Sequence, residues 1–439
     1  MSVPLAEFRR RRARLMEMLP EGTLAIVPGA SLRRRNRDVD YLFRQDSDFF
    51  YLTGFTEEDA LLVIVPGRAH GETILFCQDR DARYESYNGE RLGPERATQV
   101  LGVDDAFPIT DLSDILPGML EGRERVYLTL GEHPEFDNQL MTWVNDIRAR
   151  ESGGAVAPGE FVSLKHLLHE LRLYKSAREQ AMMRDAARIT VEAHVRAMQA
   201  CAPGINELDL EAELTYHFMR NGARSPAYPS IVASGANACV LHYIDNRATL
   251  RKGDLVLIDA GCEYEHYAAD LTRTFPVSGT FSDTQRAVYG VVLEAQKAAI
   301  DQCVVGQHFN APHDAALRVM VEGLIDLKLL KGSVEEALET ESFRRFCPHK
   351  SSHWLGLDVH DVGDYRVGGA WRELEPGMVL TVEPGIYIRD DEDNAGLARK
   401  WRGIGVRIED DVLITKGGPD VLTEAAPKTV ADVEAVMAG

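Results

Sequence analysis

The sequence predicts an α/β domain followed by a larger domain of the α+β class. Short β-rich runs alternate with helical runs in the first part of the chain, and long helices alternate with strand hairpins in the second. The stretch ESGGAVAPGE at 151–160 separates the two patterns. A chain of 439 residues is also too long for a single core. We place the boundary near Arg172, which gives domains of residues 1–172 and 173–439.

The elements of the first domain follow from β-rich runs that end in turn signals. The predicted strands are TLAIVPG at 23–29, ALLVIVPG at 60–67, ETILFC at 72–77 and RVYLTLG at 125–131. The last run precedes a predicted helix through Trp143 and Ile147.

The second domain is predicted to open with a capped helix, since Ser176 stands three residues before Glu179 in a capping box. The predicted helices cover 177–201, 207–221, 284–303 and 311–329.

Charge and composition exclude several classes of function. There are 69 acidic and 49 basic residues, a formal net charge of -20, which argues against a nucleic-acid partner. No apolar run approaches the ~18 residues that a membrane-spanning helix needs. Six scattered cysteines without CxxC spacing suit a reducing compartment, so we expect a cytoplasmic protein.

The arginine-rich segment near the N-terminus has two interpretations. Apolar residues recur at helical spacing around it, which favours a solvated surface helix over an organelle-targeting segment; they are Leu5, Phe8, Leu15, Met18 and Leu19. No stretch there is suited to a signal peptide.

The run LVLID at 255–259 reads as a buried strand that ends in an acid. If the chain turns back near Tyr264 and Glu265, Asp259 lies opposite Asp270, although a loop longer than two residues fits the lack of glycine at the tip better. Opposed like charges destabilise a sheet. The pair either caps an exposed hairpin end or holds a cation.

Three later stretches also bring polar residues into apolar surroundings. The segment CPHKSSHWLGLDVHDVGDY holds three histidines, GMVLTVEPGIYI ends an apolar strand in an acid, and GIGVRIEDD places a glycine, an arginine and an acid on one strand face. The polar residues concerned are His349, His353, His360, Glu383, Arg407 and Glu409. Each stretch alone also fits a surface histidine or a strand edge.

Together, four carboxylates and one imidazole match a site for two metal ions. Converging acids without a cation would repel one another and be costly to bury. An oxygen-rich set with a single histidine favours a hard or borderline ion such as Mn²⁺. Paired ions can supply a hydroxide between them and polarise a carbonyl, which is hydrolytic chemistry.

These motifs, in this order, resemble the metal-binding motifs of the proline-specific pita-bread metallopeptidases, the aminopeptidase P (Xaa-Pro aminopeptidase) family. The stretches are LIDAGCEYEHYAADLTRTF, HWLGLDVHDVG, LTVEPGIYI and RGIGVRIEDD, and YLFRQDSDFFYLTGF resembles the family's first domain. The resemblance implies a pita-bread catalytic domain of the creatinase/aminopeptidase type, behind a first domain that serves oligomerisation and substrate access. A homotetramer or homodimer is therefore expected.

The resemblance also implies a role for each residue. The implied ligands of two divalent ions, most simply Mn²⁺, are Asp259, Asp270, His353, Glu383 and Glu409. Asp270 and Glu409 would bridge both ions, and Glu383 would also shuttle protons around the bridging hydroxide. The further implied site residues are His360 and His242 at the scissile carbonyl, His349 at the proline ring, Arg407 beside the acids, Tyr365 nearby, and Asp38 of a neighbouring subunit at the substrate amino group.

The chain departs from the family pattern at two places. Lys350 and Ser351 stand where a glycine is expected, which changes the charge at the pocket rim, and Tyr87 replaces an expected tryptophan. The predicted activity is removal of the N-terminal residue from peptides with proline second. A prolidase, which cleaves only Xaa-Pro dipeptides, and a non-catalytic pita-bread binding protein are the alternatives.

Overall fold

The computed structural model describes residues 3–439 and divides into two compact units, Met1–Arg172 and Leu173–Gly439. None of its described helices is both long and apolar enough to cross a membrane.

The first unit is an α/β domain built on a mixed six-stranded sheet. Its strands are β1 Thr23–Pro28, β2 Arg34–Asn36, β3 Val39–Asp40, β4 Leu61–Ile64, β5 Thr73–Cys77, β6 Asp105–Pro108, β7 Arg125–Leu128 and β8 Glu160–Ser163. Its helices are α1 Leu5–Met18, α2 Ser47–Thr53, α3 Ala82–Asn88, α4 Pro94–Leu101, α5 Leu112–Leu120, α6 Pro134–Arg148 and α7 Lys165–Leu173. The sheet order is β6-β5-β4-β1-β7-β8, and β2 pairs with β3 as a separate hairpin. All four predicted strands and the predicted helix are confirmed.

Helix α1 is not the solvated helix that its arginines suggested. Arg11 and Arg12 are each 2% exposed. Arg11 donates to the Tyr51 carbonyl, and Arg12 donates to the Leu52 and Leu101 carbonyls at 2.7 and 3.0 Å. These carbonyls end α2 and α4, where backbone oxygens lack helical partners and favour a cation. The prediction of a solvated face is wrong for these two arginines.

The second unit combines long helices with short antiparallel sheets. Its helices are α8 Ala177–Ala200, α9 Glu207–Arg220, α10 Asp283–Ile300, α11 Ala311–Asp326, α12 Val334–Glu339 and α13 Val430–Ala438. Its strands are β9 Ser225–Pro226, β10 Ile231–Ser234, β11 Leu255–Asp259, β12 Cys262–Tyr264, β13 Tyr267–Ala268, β14 Thr272–Pro276, β15 Arg366–Val367, β16 Ala370–Trp371, β17 Val379–Val382, β18 Gly385–Ile388, β19 Ile404–Arg407, β20 Asp410–Thr415 and β21 Gly418–Val421.

The strands of this unit form several small sheets that share one core with the helices. The strand orders are β10-β11-β14, β13-β12-β9, β17-β20-β21, β15-β16 and β18-β19. Apolar residues of α8, α10 and α11 pack with the inner faces of these strands in a single buried cluster. The four predicted helices and the capping box of Ser176 with Glu179 are confirmed. The core gives the strand ends a rigid base, and the predicted acids stand at those ends.

Candidate metal centre

One cavity of the second unit, of about 490 Å³, gathers most of the predicted site residues. Its lining includes Asp259, Asp270, His353, Glu383, Glu409, His242, His349, His360 and Arg407. Apolar side chains, among them Ile231, Leu241 and Val359, form other parts of the wall. Convergent polar groups in a partly apolar concavity are typical of a ligand site.

Asp259 and Asp270 share one face of a hairpin but do not lie directly opposite each other. Strand β11 pairs with β14 so that Asp259 faces Thr272, and the same register places Gly261 opposite Asp270. The predicted register is therefore wrong by two residues. The shared face was nevertheless correct, because a shift of two residues preserves the alternation of side chains.

The hairpin closes with a two-residue turn. Tyr264 pairs with Tyr267, which leaves Glu265 and His266 at the tip. Both tip residues have positive φ, 50° and 69°, as a type I′ turn requires. The longer loop that we expected is wrong, because this turn forms without the glycine that usually marks it in a sequence.

Gly261 lets the two strands approach closely beside Asp270. A Cβ atom at this position would lie 1.7 Å from the Ala269 carbonyl oxygen and 3.1 Å from the Asp270 nitrogen. Both are backbone atoms, which a side-chain rotation cannot move away. The position of Asp270 therefore depends on a glycine opposite it.

Tyr228 links the two aspartates. Its hydroxyl donates to Asp259 Oδ1 at 2.6 Å and also contacts Asp270 Oδ1. Burial and the charges of both aspartates raise the pKa of Tyr228 well above its ordinary value, so the hydroxyl keeps its proton. Sequence reasoning missed Tyr228, which lies outside any strand or helix and carries no periodic signal.

Three of the predicted ligands form a tight group. Asp270, His353 and Glu409 each offer one ligand atom, and these atoms lie within 4.8 Å of one another. Glu383 approaches the same histidine, with 3.6 Å between His353 Nε2 and Glu383 Oε1. Asp259 is not in the tight group and instead forms an ion pair with Arg407 at 2.6 Å.

The ring of His353 has a defined orientation. Nδ1 lies 2.9 Å from the Trp354 carbonyl oxygen, which can only accept, so this nitrogen carries a proton. Nε2 faces the carboxylates, 3.5 Å from Asp270 Oδ2. Burial by itself lowers the pKa of His353. The hydrogen bond to Asp270 and the charge of Glu383 raise it by more than burial lowers it, so that the pKa is about 9. Backbone orientation of this kind is usual for a metal-binding histidine.

Glu409 and Arg407 are joined through Thr272. Thr272 Oγ1 donates to Glu409 Oε2 at 2.6 Å and accepts from Arg407 Nε at 3.2 Å. Arg407 thus contacts one acid directly and a second through a hydroxyl. Thr272 could have been found from sequence, because it stands two residues after Asp270 on the same strand face.

A hydrogen-bond chain connects Arg407 with His349. Arg407 Nη1 donates to the Tyr387 hydroxyl at 2.7 Å, and that hydroxyl lies 2.8 Å from His349 Nε2. His349 Nδ1 in turn lies 2.7 Å from the Lys350 carbonyl oxygen, so Nδ1 is the donor and Nε2 the acceptor. Burial and then Arg407 lower the pKa of His349 to about 4, which fits this neutral form. Tyr387 was not predicted.

His360 packs against His353, and the residue that follows it in the chain is held by a buried ion pair. The two rings meet edge to face at 4.3 Å, and burial followed by the charge of His353 lowers the pKa of His360. The next residue, Asp361, forms an ion pair with Lys175 at 3.0 Å, and each side chain is 1% exposed. A buried pair of this kind fixes the backbone beside His360.

Tyr365 and Asp38 do not line this cavity. Tyr365 stacks on Trp354 with ring centroids 5.7 Å apart and lines a second cavity. Asp38 belongs to the first unit, where it is exposed between β2 and β3. Tyr87, also of that unit, is 82% exposed. The roles suggested for Tyr365 and Asp38 remain predictions.

The donor set fits divalent metal ions. Burial and then Asp259 raise the pKa of Asp270, and burial and then Asp270 raise that of Glu409 well above its ordinary value. Burial is also the main cause that raises the pKa of Glu383 to about 7. These acids repel one another without a cation. Four carboxylates and one imidazole would be stabilised by hard or borderline divalent ions.

Comparison with known proteins identifies both units. The profile of metallopeptidase family M24 matches residues 181–416, and that of the aminopeptidase P N-terminal domain matches residues 8–127. The Xaa-Pro aminopeptidase of Escherichia coli strain K12 is 43% identical over 432 residues, which are 98% of this chain and 97% of that protein.

Solved structures agree with these matches. The aminopeptidase PepP of Pseudomonas aeruginosa is 55% identical with a TM-score of 0.98, over 100% of this chain and 98% of that one. The zinc-substituted aminopeptidase P of Escherichia coli, in complex with product, is 42% identical with a TM-score of 0.96, over 100% of this chain and 99% of that one. The predicted pita-bread fold is confirmed.

Proposed function

Because the chain belongs to metallopeptidase family M24 and carries the N-terminal domain of aminopeptidase P, we propose that its metal centre removes the N-terminal residue from peptides with proline second. Its class is that of a metal-dependent exopeptidase of the Xaa-Pro aminopeptidase type. The observation that carries the proposal is the convergence of four acids and His353 in one partly apolar cavity.

We assign the ligands of two divalent ions to the five converging residues. Asp270 and Glu409 would contact both ions, Asp259 one of them, and His353 with Glu383 the other. The tight group of Asp270, His353 and Glu409 supports a shared centre. The oxygen-rich donor set favours Mn²⁺. When bound, such ions would activate a water molecule as the nucleophile and polarise the scissile carbonyl.

Glu383 is the proposed proton carrier. Its carboxylate belongs to the ligand group, with Oε1 3.6 Å from His353 Nε2, and a carboxylate there can accept a proton and pass it on. It would take a proton from water and deliver it to the proline nitrogen as the amide bond breaks. Its Oε2 lies 3.7 Å from His349 Nδ1, so a carboxylate at this position faces the proposed proline site.

His360 and His242 are proposed to orient the scissile carbonyl. A lowered pKa keeps His360 neutral, and a neutral imidazole N–H can donate to an oxygen that gains negative charge during attack. His242 lines the same cavity. His349, fixed through Tyr387, would present a ring face to the proline. Arg407 would hold Asp259 in place.

Proline explains why a dedicated site is needed. Its ring fixes φ and removes the amide N–H that other exopeptidases bind. A prolidase would use the same ligands but cleave only dipeptides, so Ala-Pro-Ala assayed beside Ala-Pro separates the two activities. Cleavage restricted to Ala-Pro would overturn our assignment in favour of the prolidase.

The metal requirement is tested by removal and replacement. We expect chelator-treated protein to lose activity and to regain it with Mn²⁺. Asp259→Asn and His353→Ala should each abolish Ala-Pro-Ala cleavage, whereas Asp301→Asn, an exposed position at the end of α10, should not. Chelator-resistant activity, or full activity in both ligand variants, would exclude the metal mechanism. The absence of any cleavage would favour a binding protein.

We also propose a homotetramer or homodimer formed through the first unit. Asp38 stands on an exposed hairpin beside apolar Val39, Tyr41 and Leu42, which are 48%, 59% and 58% exposed. Clustered exposed apolar residues favour a protein contact. Such a contact would bring Asp38 to the substrate amino group of a neighbouring subunit. Sedimentation that shows only monomer would contradict this proposal.

The free cysteines support a cytoplasmic location. All six are unpaired, and all except Cys201 are buried, as suits a reducing compartment. Fractionation of the producing cell would test it.

A further inference from the structure

Lys350 lies where two cavities of the second unit adjoin. It lines the metal-site cavity and also a neighbouring cavity of about 560 Å³. Ser352, which directly precedes His353 in the chain, lines the second cavity as well. The segment from Lys350 to His353 thus borders both spaces, and the second one offers room for a peptide that continues from the metal centre past this segment.

The second cavity suits the continuation of a peptide. Its aromatic wall consists of Phe309, Tyr365 and Trp371, with the Phe309 ring centroid 4.6 Å from that of Tyr365 and 6.3 Å from that of Trp371. Arg366 lies over the Trp371 ring at 4.2 Å. Aromatic surfaces bind apolar groups without demanding one shape. The charged residues of its lining are Lys350, Arg366 and Asp364, and polar selection depends on these three.

The Lys350 ammonium has unused hydrogen-bonding capacity. Its side chain is exposed, and its one side-chain hydrogen bond within residues 3–439 joins Nζ to Asn310 Oδ1 at 3.4 Å. That length is at the limit of a hydrogen bond. An ammonium group has three donors. Within the described part of the chain, Lys350 forms no ion pair, and its charge acts on Glu341 only at longer range, so its donors remain available to a ligand.

We propose that Lys350 binds a carboxylate on the residue that follows proline in the substrate. This specificity rests on the proposed function, because the direction of the peptide follows from placing the proline ring at His349. Of these two cavities His349 lines only that of the metal site, whereas Lys350 lines both, so a peptide that continues from the proline site into the second cavity passes Lys350. The third residue is therefore the first that passes the ammonium group. Its carboxylate is either the C-terminus of a tripeptide or an acidic side chain.

Three substrates separate these sources. They are Ala-Pro-Ala with a free C-terminus, the same peptide as its C-terminal amide, and Ala-Pro-Asp amide. We expect the full-length protein loaded with Mn²⁺ to prefer the free acid over the amide roughly threefold in kcat/KM at low salt, mainly through KM, as an exposed ion pair would give. Added salt should reduce the preference. If Ala-Pro-Asp amide is preferred over Ala-Pro-Ala amide by a similar factor, Lys350 binds any carboxylate on the third residue. If the two amides are cleaved equally well, Lys350 binds the C-terminal carboxylate.

The acid-to-amide ratio of kcat/KM identifies Lys350 as the cause. Lys350→Met should bring the ratio to about one, and Lys350→Glu should invert it by a similar factor. Lys252→Glu makes the same charge change at an exposed site that borders neither cavity, and the wild-type ratio should persist. An unchanged ratio in Lys350→Met, or its loss in Lys252→Glu, would overturn the proposal. Absence of cleavage of every peptide by the wild-type protein would instead refute the proposed function.

Discussion

Gly261→Ala is the sharpest test of how the hairpin positions the metal ligands. The added Cβ atom would lie 1.7 Å from the Ala269 carbonyl oxygen. Real Cβ atoms do not approach other atoms closer than 3.0 Å, so the two strands must separate by more than about 1 Å. Ala269 directly precedes Asp270, and the displacement therefore acts on a predicted ligand.

The size of the effect follows from that displacement. Overpacking of this kind costs about 1–3 kcal/mol of stability. A misplacement of about 1 Å at reacting groups costs on the order of 10²-fold in rate. We therefore expect a folded protein with a lower melting temperature, at least tenfold weaker Mn²⁺ binding and about a hundredfold lower kcat/KM for Ala-Pro-Ala.

Gly290→Ala is the matched control. Gly290 lies inside α10, and a Cβ atom there would meet nothing within 4 Å. Alanine should stabilise this helix by about 0.5–1 kcal/mol without changing activity. Circular dichroism checks folding, calorimetric titration measures Mn²⁺ binding, and peptide hydrolysis gives kcat/KM. Wild-type binding and activity in folded Gly261→Ala would refute the claim that the close approach at Gly261 sets the position of Asp270.

Three further predictions concern groups around the cavity. Tyr387→Phe should lower kcat/KM about 10–100-fold, as loss of an orienting partner does. The control Tyr289→Phe removes a hydroxyl that donates to the Lys428 carbonyl oxygen, and it should lower stability without changing activity. Equal losses of activity in the two variants would contradict this prediction. Burial lowers the pKa of His194 to about 4, so the unfolded state binds the extra proton, and stability should fall by up to about 1.4 kcal/mol per pH unit as pH drops from about 6.5 to 4. Urea unfolding at several pH values should show that the free energy of unfolding falls less steeply with decreasing pH in His194→Gln than in the wild-type protein. An identical pH dependence in the two proteins would refute this assignment. Lys175→Met should cost about 3 kcal/mol in urea unfolding because buried Asp361 loses its ion pair with Lys175, and it should lower kcat more than it changes KM; a KM effect alone would contradict a positioning role.

The sequence predicted which side chains share a face of the hairpin better than it predicted which residues pair across the two strands. Alternation along β11 correctly placed Asp259 on the same side as Asp270. A shift of the register by two residues leaves every side chain on its original face of the sheet. The register itself was wrong, since Glu265 and His266 adopt left-handed conformations that no glycine announces. Turn geometry depends here on the surrounding packing rather than on local preference.

Residues that act through tertiary contacts were harder to predict. Tyr228 reaches Asp259 from an irregular segment, and Tyr387 reaches His349 from β18, so periodicity carries no trace of either contact. Arg11 and Arg12 show the same limit in the first unit, because their carbonyl partners lie far away in sequence. By contrast, helices with caps and sustained apolar spacing were predictable because their signals are local.

The left-handed pair at the hairpin tip also acts as a spacer for the metal site. Non-glycine residues in this conformation cost about 1–2 kcal/mol each, yet they let the chain reverse within two residues. The number of residues between Asp259 and Asp270 must therefore stay even. Loss of a single tip residue would turn Asp270 to the opposite face, whereas paired insertions would leave both carboxylates on the cavity side. The hairpin can thus vary in length during evolution only in steps of two.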